Sequence, residues 1–348
     1  MMTNYPIYIG SDALLRLKEF LEQRKYSGVL VLVDANTQVL CYPLLQPFLP
    51  AHSTFEIPSG EIHKNLNSCI KIWEHLTHEA FDRKGLVINL GGGVIGDMGG
   101  FVAATYKRGI DFIQVPTTLL SQVDASVGGK LGIDFQGYKN HIGVFCEPQA
   151  VVIWPEFLDT LTRRELLSGM AEVIKHHLIA DREGWNRLKL TREVFALKLE
   201  DLIRHSIKIK SDIVQADPLE KGLRKALNFG HTIGHAIESQ FLETSHPLLH
   251  GEAIAIGMIA ESWISHQEGL ISQAERDEIA GFIKNFYGKP EIPSSFYPEI
   301  CDRALNDKKN QKGKILCTLL DGIGKVRFDS EIRKTQIEKS LDFYNLLS

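Results

Sequence analysis

Residues 86–97 read Leu86-Val87-Ile88-Asn89-Leu90-Gly91-Gly92-Gly93-Val94-Ile95-Gly96-Asp97. A run of branched apolar residues stops at three glycines and completes the pattern GxGxxG, as when a buried strand passes through a tight turn into a helix. Glycines at such a turn let the backbone approach a pyrophosphate, and the first amides of the helix face it. As a bare pattern it fits a plain tight turn equally well. On both sides, up to about residue 150, short β-branched runs alternate with longer amphipathic stretches, and strands are predicted over 28–33, 86–90, 111–115 and 150–153. That alternation builds a mostly parallel sheet with helices on its faces, so the fold expected here is an α/β, Rossmann-like N-terminal domain. The run over 28–33 leads into Asp34. A carboxylate there suits a ribose, yet it precedes the glycines instead of following them by about 20 residues. The dinucleotide site is therefore of another lineage, or absent.

From about Arg163 the texture changes. Segments 163–180, 196–216, 230–242, 251–268 and 272–286 carry apolar residues at helical spacing, which predicts an all-α C-terminal domain. A chain of 348 residues exceeds one ordinary core and suits two. The boundary is placed at the turn Trp154-Pro155, giving a domain over 1–153 and another over 154–348. With 44% hydrophobic and 24% charged residues the composition is globular. No apolar run reaches the roughly 20 residues needed to cross a bilayer. The start, MMTNYPIYIGSDALL, lacks a basic segment followed by an apolar one, so a cytoplasmic location is expected. The net charge of −4 disfavours nucleic acid and anionic membrane as partners. Five cysteines, at 41, 69, 146, 301 and 317, are odd in number and never in CxxC spacing, so they read as buried, reduced thiols.

Several short strings carry chemistry. Val123-Asp124-Ala125-Ser126-Val127-Gly128-Gly129-Lys130 and Gly137-Tyr138-Lys139-Asn140 set glycines beside lysines, which suits an anion or, equally, a solvated surface turn. Glu172 and Lys175 stand at i,i+3 in Ala171-Glu172-Val173-Ile174-Lys175, the spacing of a surface salt bridge. In Leu227-Asn228-Phe229-Gly230-His231-Thr232-Ile233-Gly234-His235 two histidines at i,i+4 can aim at one ion. Thr232 occupies the place where a metalloprotease needs its general-base Glu, which removes that reading. A third imidazole, His250, follows in Leu249-His250-Gly251-Glu252. One carboxylate and two imidazoles form a catalytic zinc set with an open position; spacing alone pairs His231 with His235.

Together these strings resemble the 3-dehydroquinate synthase family of sugar-phosphate cyclases. SGEIHK (59–64), GGGVIGD, YKRG, PTTLLSQVDASVGGK, GYKNHIGVF, AEVIK, GLRKALNFGHTIGHAIE, HGEAIAIGM and DKKN (307–310) occur in the family's order. The resemblance implies conversion of DAHP, a seven-carbon phosphorylated ulosonate of the shikimate pathway, to 3-dehydroquinate and phosphate. The route is oxidation by NAD, phosphate elimination, reduction, ring opening and aldol closure, with a zinc or cobalt ion and NAD used catalytically. It assigns the metal to Glu172, His231 and His250, and moves His235 to the substrate. NAD falls to Asp34, Ser59, Gly60, Glu61, Lys64, Gly93, Val94, Ile95, Gly96, Asp97, Thr117, Thr118, Lys130, Lys139, Phe157, Leu158, Asp159 and Thr160. Phosphate falls to Lys130, Asn140, Arg224 and a lysine at 308 or 309, with Lys309 preferred. The polyol and carboxylate fall to Asp124, Lys175, Lys210, Asn228 and His235. Arg108 in Tyr106-Lys107-Arg108-Gly109 would reach the neighbouring subunit's phosphate, which implies a homodimer. Leu131, Asp134 and Leu161-Thr162 depart from the family's usual threonine, asparagine and Leu-Pro. Rival readings are a sister cyclase making a cyclitol precursor, a metal-dependent polyol dehydrogenase that releases NADH, and a catalytically silent NAD-binding regulator. Asn228 and His235 match the synthase.

Overall fold

In the computed structural model, which describes residues 4–136, 138–191, 198–242, 244–306 and 313–347, the β-branched runs become parallel strands. The chain divides into two units, one of Met1–Leu166 with Lys198–Ser211 and one of Leu167–Leu197 with Asp212–Ser348. The first unit holds β1 (Ile7–Ile9), α1 (Ala13–Glu22), β2 (Val29–Asp34), α2 (Ala35–Leu40), α3 (Tyr42–Leu45), β3 (Ser53–Ile57), α4 (Leu66–His78), β4 (Leu86–Gly91), α5 (Gly93–Thr105), β5 (Asp111–Pro116), β6 (Lys130–Phe135), β7 (Tyr138–Phe145) and β8 (Ala150–Ile153). Six of the strands form one sheet in the order β1-β8-β5-β4-β2-β3, parallel throughout. From β2 the chain goes to one side, to β3, and then crosses to the other, to β4. The crevice at the carboxyl ends of such neighbouring strands is where α/β sheets bind ligands. Here those ends carry Asp34 and Gly91.

Alternate residues of β2 enter different cores, as the period of two requires. Val29, Val31 and Val33 pack with Leu14, Leu17 and Phe157, and Leu30 and Leu32 pack with Ile72, Met98 and Val102. Gly99 and Gly100 bring α5 onto the sheet and hairpin. A Cβ on Gly99 would lie 2.0 Å from Asn89 Oδ1, and one on Gly100 would lie 2.4 Å from Leu131 Cδ2. Leu131, unusual in the family, thus fills the space that Gly100 leaves.

All four predicted strands are present. The segment 130–145, read as glycine-rich turns, is instead the antiparallel hairpin β6–β7, because Gly143 permits a closeness that a side chain would block: its Cβ would meet Leu131 O at 2.3 Å.

The remaining helices are α6 (Arg163–Ala180), α7 (Arg182–Leu188), α8 (Leu199–Ala216), α9 (His231–Phe241), α10 (His250–Gln267), α11 (Gln273–Tyr287), α12 (Tyr297–Leu305) and α13 (Lys334–Leu346). The unit division falls within α6 and within α8. In the second unit α9 and α10 cross at backbone contact, for a Cβ on Gly257 would lie 2.0 Å from Gly230 O. This unit is helix-rich, with one addition to the all-α expectation: β9 (Ile315–Leu320) and β10 (Val326–Ile332) form an antiparallel pair. Among the described residues no helix is long and apolar enough to cross a membrane. The cysteines are all free; Cys146 is only half-buried, a correction to the expectation that all five are buried.

Candidate functional site

In the first unit the glycine turn leaves the start of α5 open, because its N-cap is Gly92, which has no side chain to cap it. Gly93 has room in front of it, the nearest atom to a Cβ there being Ala125 Cβ at 3.7 Å. Val94 and Gly96 are half-buried and Ile95 is wholly buried. Beside the turn, the Thr117 N–H donates to Gly91 O at 3.1 Å, and the Thr118 hydroxyl bonds that of Ser121 at 2.8 Å. Asp34 caps α2, its Oδ1 accepting the N–H groups of Asn36 and Thr37, each at 2.9 Å; Oδ2 is not engaged.

Lys64, 3% exposed, forms the hub of a polar cluster. Its ammonium donates to Asp97 Oδ2 and to Asn140 Oδ1, both at 2.6 Å. Burial opposes the charge, but the carboxylates of Asp97 and Glu61 outweigh it and hold the Lys64 pKa above its usual value. Asn140 sits at φ +48°, a left-handed conformation secured by its N–H donating to Asp134 Oδ1 at 2.7 Å. The Asp134 N–H donates in turn to Lys64 O at 2.8 Å. Lys139 pairs with Glu61 at 3.4 Å, beside half-buried Ser59 and exposed Gly60. Asp124, in a short π-helical turn, pairs with Lys210 of α8 at 2.9 Å.

Other expected residues have structural tasks or lie apart from this cluster. Phe157 is fully buried and meets the Trp154 ring edge-on at 4.8 Å, so only its backbone can face a ligand. The Thr160 hydroxyl donates to Phe157 O at 2.7 Å, Leu158 is buried and Asp159 exposed. Lys130 is exposed at the start of β6. Arg108 is exposed at φ +72°, between Lys107 at +49° and Gly109 at +112°. The unusual Thr162 caps α6, exchanging bonds with Glu165.

In the second unit Glu172 and Lys175 are ion-paired but wholly buried, so the surface salt bridge suggested by their spacing is an interior pair. Burying a carboxylate is costly unless cations or donors meet it. Besides Lys175, two imidazoles face it: His231 Nε2 lies 3.5 Å and His250 Nε2 3.7 Å from Glu172 Oε1. Both rings are held from behind. His231 Nδ1 lies 3.0 Å from Phe229 O, which can only accept, so Nδ1 carries the proton and Nε2 the lone pair. His250 Nδ1 contacts Glu238 Oε2 at 3.2 Å. Burial opposes a charge on His250, but Glu238 and Glu172 raise its pKa to about 9. The ligand atoms of His231, His235 and His250 lie within 4.8 Å of one another, so the structure gathers both candidate sets.

Donors about 2.1 Å from a shared ion at tetrahedral angles stand roughly 3.4 Å apart. The Glu172–imidazole separations match that spacing, and the Nδ1 contacts are of the kind that orient metal-binding histidines. The donor set fits a divalent metal. Nearby, Arg224 is buried and donates to Pro218 O at 2.7 Å, and Asn228 donates to Glu220 Oε1 at 2.8 Å. Glu220, Glu238 and Glu261 were not singled out from sequence, where charges on or near helices read as solvated. Lys308 and Lys309 lie outside the described residues.

Residues 54–168 match the 3-dehydroquinate synthase N-terminal family and residues 169–310 the 3-dehydroquinate synthase C-terminal family. The chain belongs to the 3-dehydroquinate synthase family. A 3-dehydroquinate synthase from Parabacteroides distasonis is 41% identical over 99% of this chain and 98% of its own length. Among solved structures, the 2-epi-5-epi-valiolone synthase of Streptomyces hygroscopicus subsp. jinggangensis, with NAD+ and Zn2+ bound, superposes with a TM-score of 0.87 at 25% identity, covering 99% of this chain and 97% of that one. A 2-deoxy-scyllo-inosose synthase with carbaglucose-6-phosphate, NAD+ and Co2+ gives 0.83 at 24% identity, covering 96% and 95%. The fold is that of the sugar-phosphate cyclases, and membership of the 3-dehydroquinate synthase family makes the chain an enzyme.

Proposed function

We propose that the chain converts DAHP to 3-dehydroquinate and inorganic phosphate, with NAD along the first unit's glycine turn and a zinc or cobalt ion on Glu172, His231 and His250. The observation that carries the reading is the buried Glu172 carboxylate faced by two oriented imidazoles. When bound, NAD supplies a reversible hydride acceptor and the metal a Lewis acid. The chain's own residues position and neutralise. Lys130, Asn140, Arg224 and a lysine at 308 or 309 take the phosphate dianion. Lys64 fixes Asn140 for that task and leaves it an amide N–H to donate. Asp124, held by Lys210, and Lys175, Asn228 and His235 take the hydroxyls and carboxylate. With cationic and neutral donors around it, the departing phosphate can accept a proton on its own oxygen, so no strong protein base is needed. The first domain thus serves NAD and the second the metal and much of the substrate.

The protein is assigned to the cytoplasm, as a homodimer in which Arg108 reaches the partner's phosphate site. The test is incubation of the Zn2+- or Co2+-loaded protein with DAHP and substoichiometric NAD+. Phosphate and dehydroquinate should appear together, in excess over NAD+, with no net NADH absorbance. Stoichiometric NADH would mark a polyol dehydrogenase, and turnover only of another sugar phosphate would mark a sister cyclase.

A further inference from the structure

We propose that Glu261 acts through a single peptide group on His231, strengthening that imidazole as a metal ligand. This rests on reading His231 as a ligand. Glu261 lies in α10 and is completely buried. Its Oε2 accepts the Gly230 N–H at 2.5 Å and its Oε1 accepts the Ile233 N–H at 3.2 Å. The Gly230 N–H and the Phe229 C=O are the two ends of one planar, resonance-coupled peptide unit. At its other end, Phe229 O accepts the His231 Nδ1–H at 3.0 Å. A carboxylate at the N–H end draws positive charge toward itself and leaves more negative charge on the carbonyl oxygen, as hydrogen bonds in series do. A stronger acceptor at Nδ1–H makes Nε2 more basic toward a metal, as a directly bonded carboxylate does in metal sites. His250 has such a direct partner in Glu238; His231 has its carboxylate one peptide away.

The backbone is shaped for this relay. Gly230 stands at φ +80°, and a Cβ there would meet Met258 Cγ at 2.5 Å. Together with Gly257, this lets α9 and α10 touch closely enough that Glu261, one turn beyond Gly257, reaches the open start of α9. That helix has no side-chain cap from its own N-cap residue. Glu261 therefore caps a helix and also polarises a ligand, and the experiment must separate the two.

Glu261→Gln keeps shape and one acceptor oxygen but removes the charge. The full-length protein, stripped of metal, is titrated with Co2+, recording the dissociation constant and the visible cobalt bands, with NAD+ affinity measured separately. About tenfold weaker Co2+ binding, shifted cobalt bands and NAD+ affinity within about twofold of wild type are expected. A lower melting temperature with unchanged Co2+ affinity and bands would mean capping alone and overturn the proposal. So would equal losses of Co2+ and NAD+ affinity in a folded variant. If circular dichroism shows Glu261→Gln unfolded, Glu261→Asp, which withdraws the charge by one methylene, carries the same test, and wild-type Co2+ affinity in it overturns the proposal. His231→Ala is run alongside. Wild-type Co2+ binding in that variant sinks the ligand reading and the relay with it, whereas loss there with normal binding in both Glu261 variants sinks the relay alone.

Discussion

Lys64 is buried and charged at once, tolerable only because Asp97 and Asn140 meet its ammonium. Replacing it with Met would strand the Asp97 carboxylate, and a loss of about 3 kcal/mol or more is expected, read from urea unfolding, with metal content unchanged. Its folded pKa lies above the usual 10.5, so its stabilisation is complete below that pH and disappears as pH rises through the raised value. The gap between Lys64→Met and wild type should therefore be flat from pH 7 to 10 and close only beyond. Asp134 illustrates the opposite case, a departure from the family's residue that costs nothing, because either Asp or Asn offers the Oδ1 that holds the Asn140 N–H. Asp134→Asn should keep wild-type kinetics, whereas Asp134→Ala should raise KM for the phosphorylated substrate roughly tenfold by releasing Asn140 from its left-handed turn, a loss of about 1.4 kcal/mol. Equal KM values in the two variants would sink this role. At this scale the sequence was uneven. The i,i+4 histidines were visible, but no spacing rule links Glu172 to imidazoles on other helices, and only the family resemblance supplied it. Glu261 could not be seen at all, since its partners are backbone amides of another helix.

Among the elements, the interior parallel strands were legible because strands covered on both faces read as unbroken β-branched runs. β2 and β4 are of this kind. β1 is too short to signal, with three residues. β3 and β10 alternate exposed with half-buried positions and sit at sheet margins, so polar residues interrupt them. The glycines of α5 were read together as one motif, yet they divide by task. Gly99→Ala would drive a methyl into Asn89 and Leu32, 2.0 and 2.7 Å away, and should destabilise by about 1–3 kcal/mol. Gly93→Ala meets nothing closer than 3.7 Å. It should leave the melting temperature unchanged or slightly higher, yet weaken NAD+ binding, because its methyl would stand where the dinucleotide needs backbone. Fluorescence titration with NAD+ beside thermal melts checks the pair; weakened stability in Gly93→Ala with normal NAD+ affinity would reverse the assignment.

For the whole molecule, the assignment of metal to one unit and dinucleotide turn to the other predicts separable losses. Chelation should abolish turnover while NAD+ still binds, His250→Ala should lose the ion, and His235→Ala should retain it; full activity in metal-free protein would refute the metal role. The proposed homodimer is testable by refolding Arg108→Ala and Lys130→Ala together. If Arg108 crosses to the partner, each mixed dimer has one intact site, and random mixing restores roughly a quarter of wild-type sites. Proven subunit exchange without recovered activity rules the shared site out. The order in which the first unit is completed has its own consequence. β1 pairs with β8, Ile7 against Val151, and the unit also takes in Lys198–Ser211 after a stretch that belongs elsewhere. At about 5–20 residues per second of synthesis, the first strand waits on the order of 10 s for its neighbour to leave the ribosome. Until then β5 presents an open edge, and Asp124 meets Lys210 later still. The nascent chain therefore passes through a long interval with an apolar sheet half-assembled, and in that interval a holding chaperone has the most surface to shield.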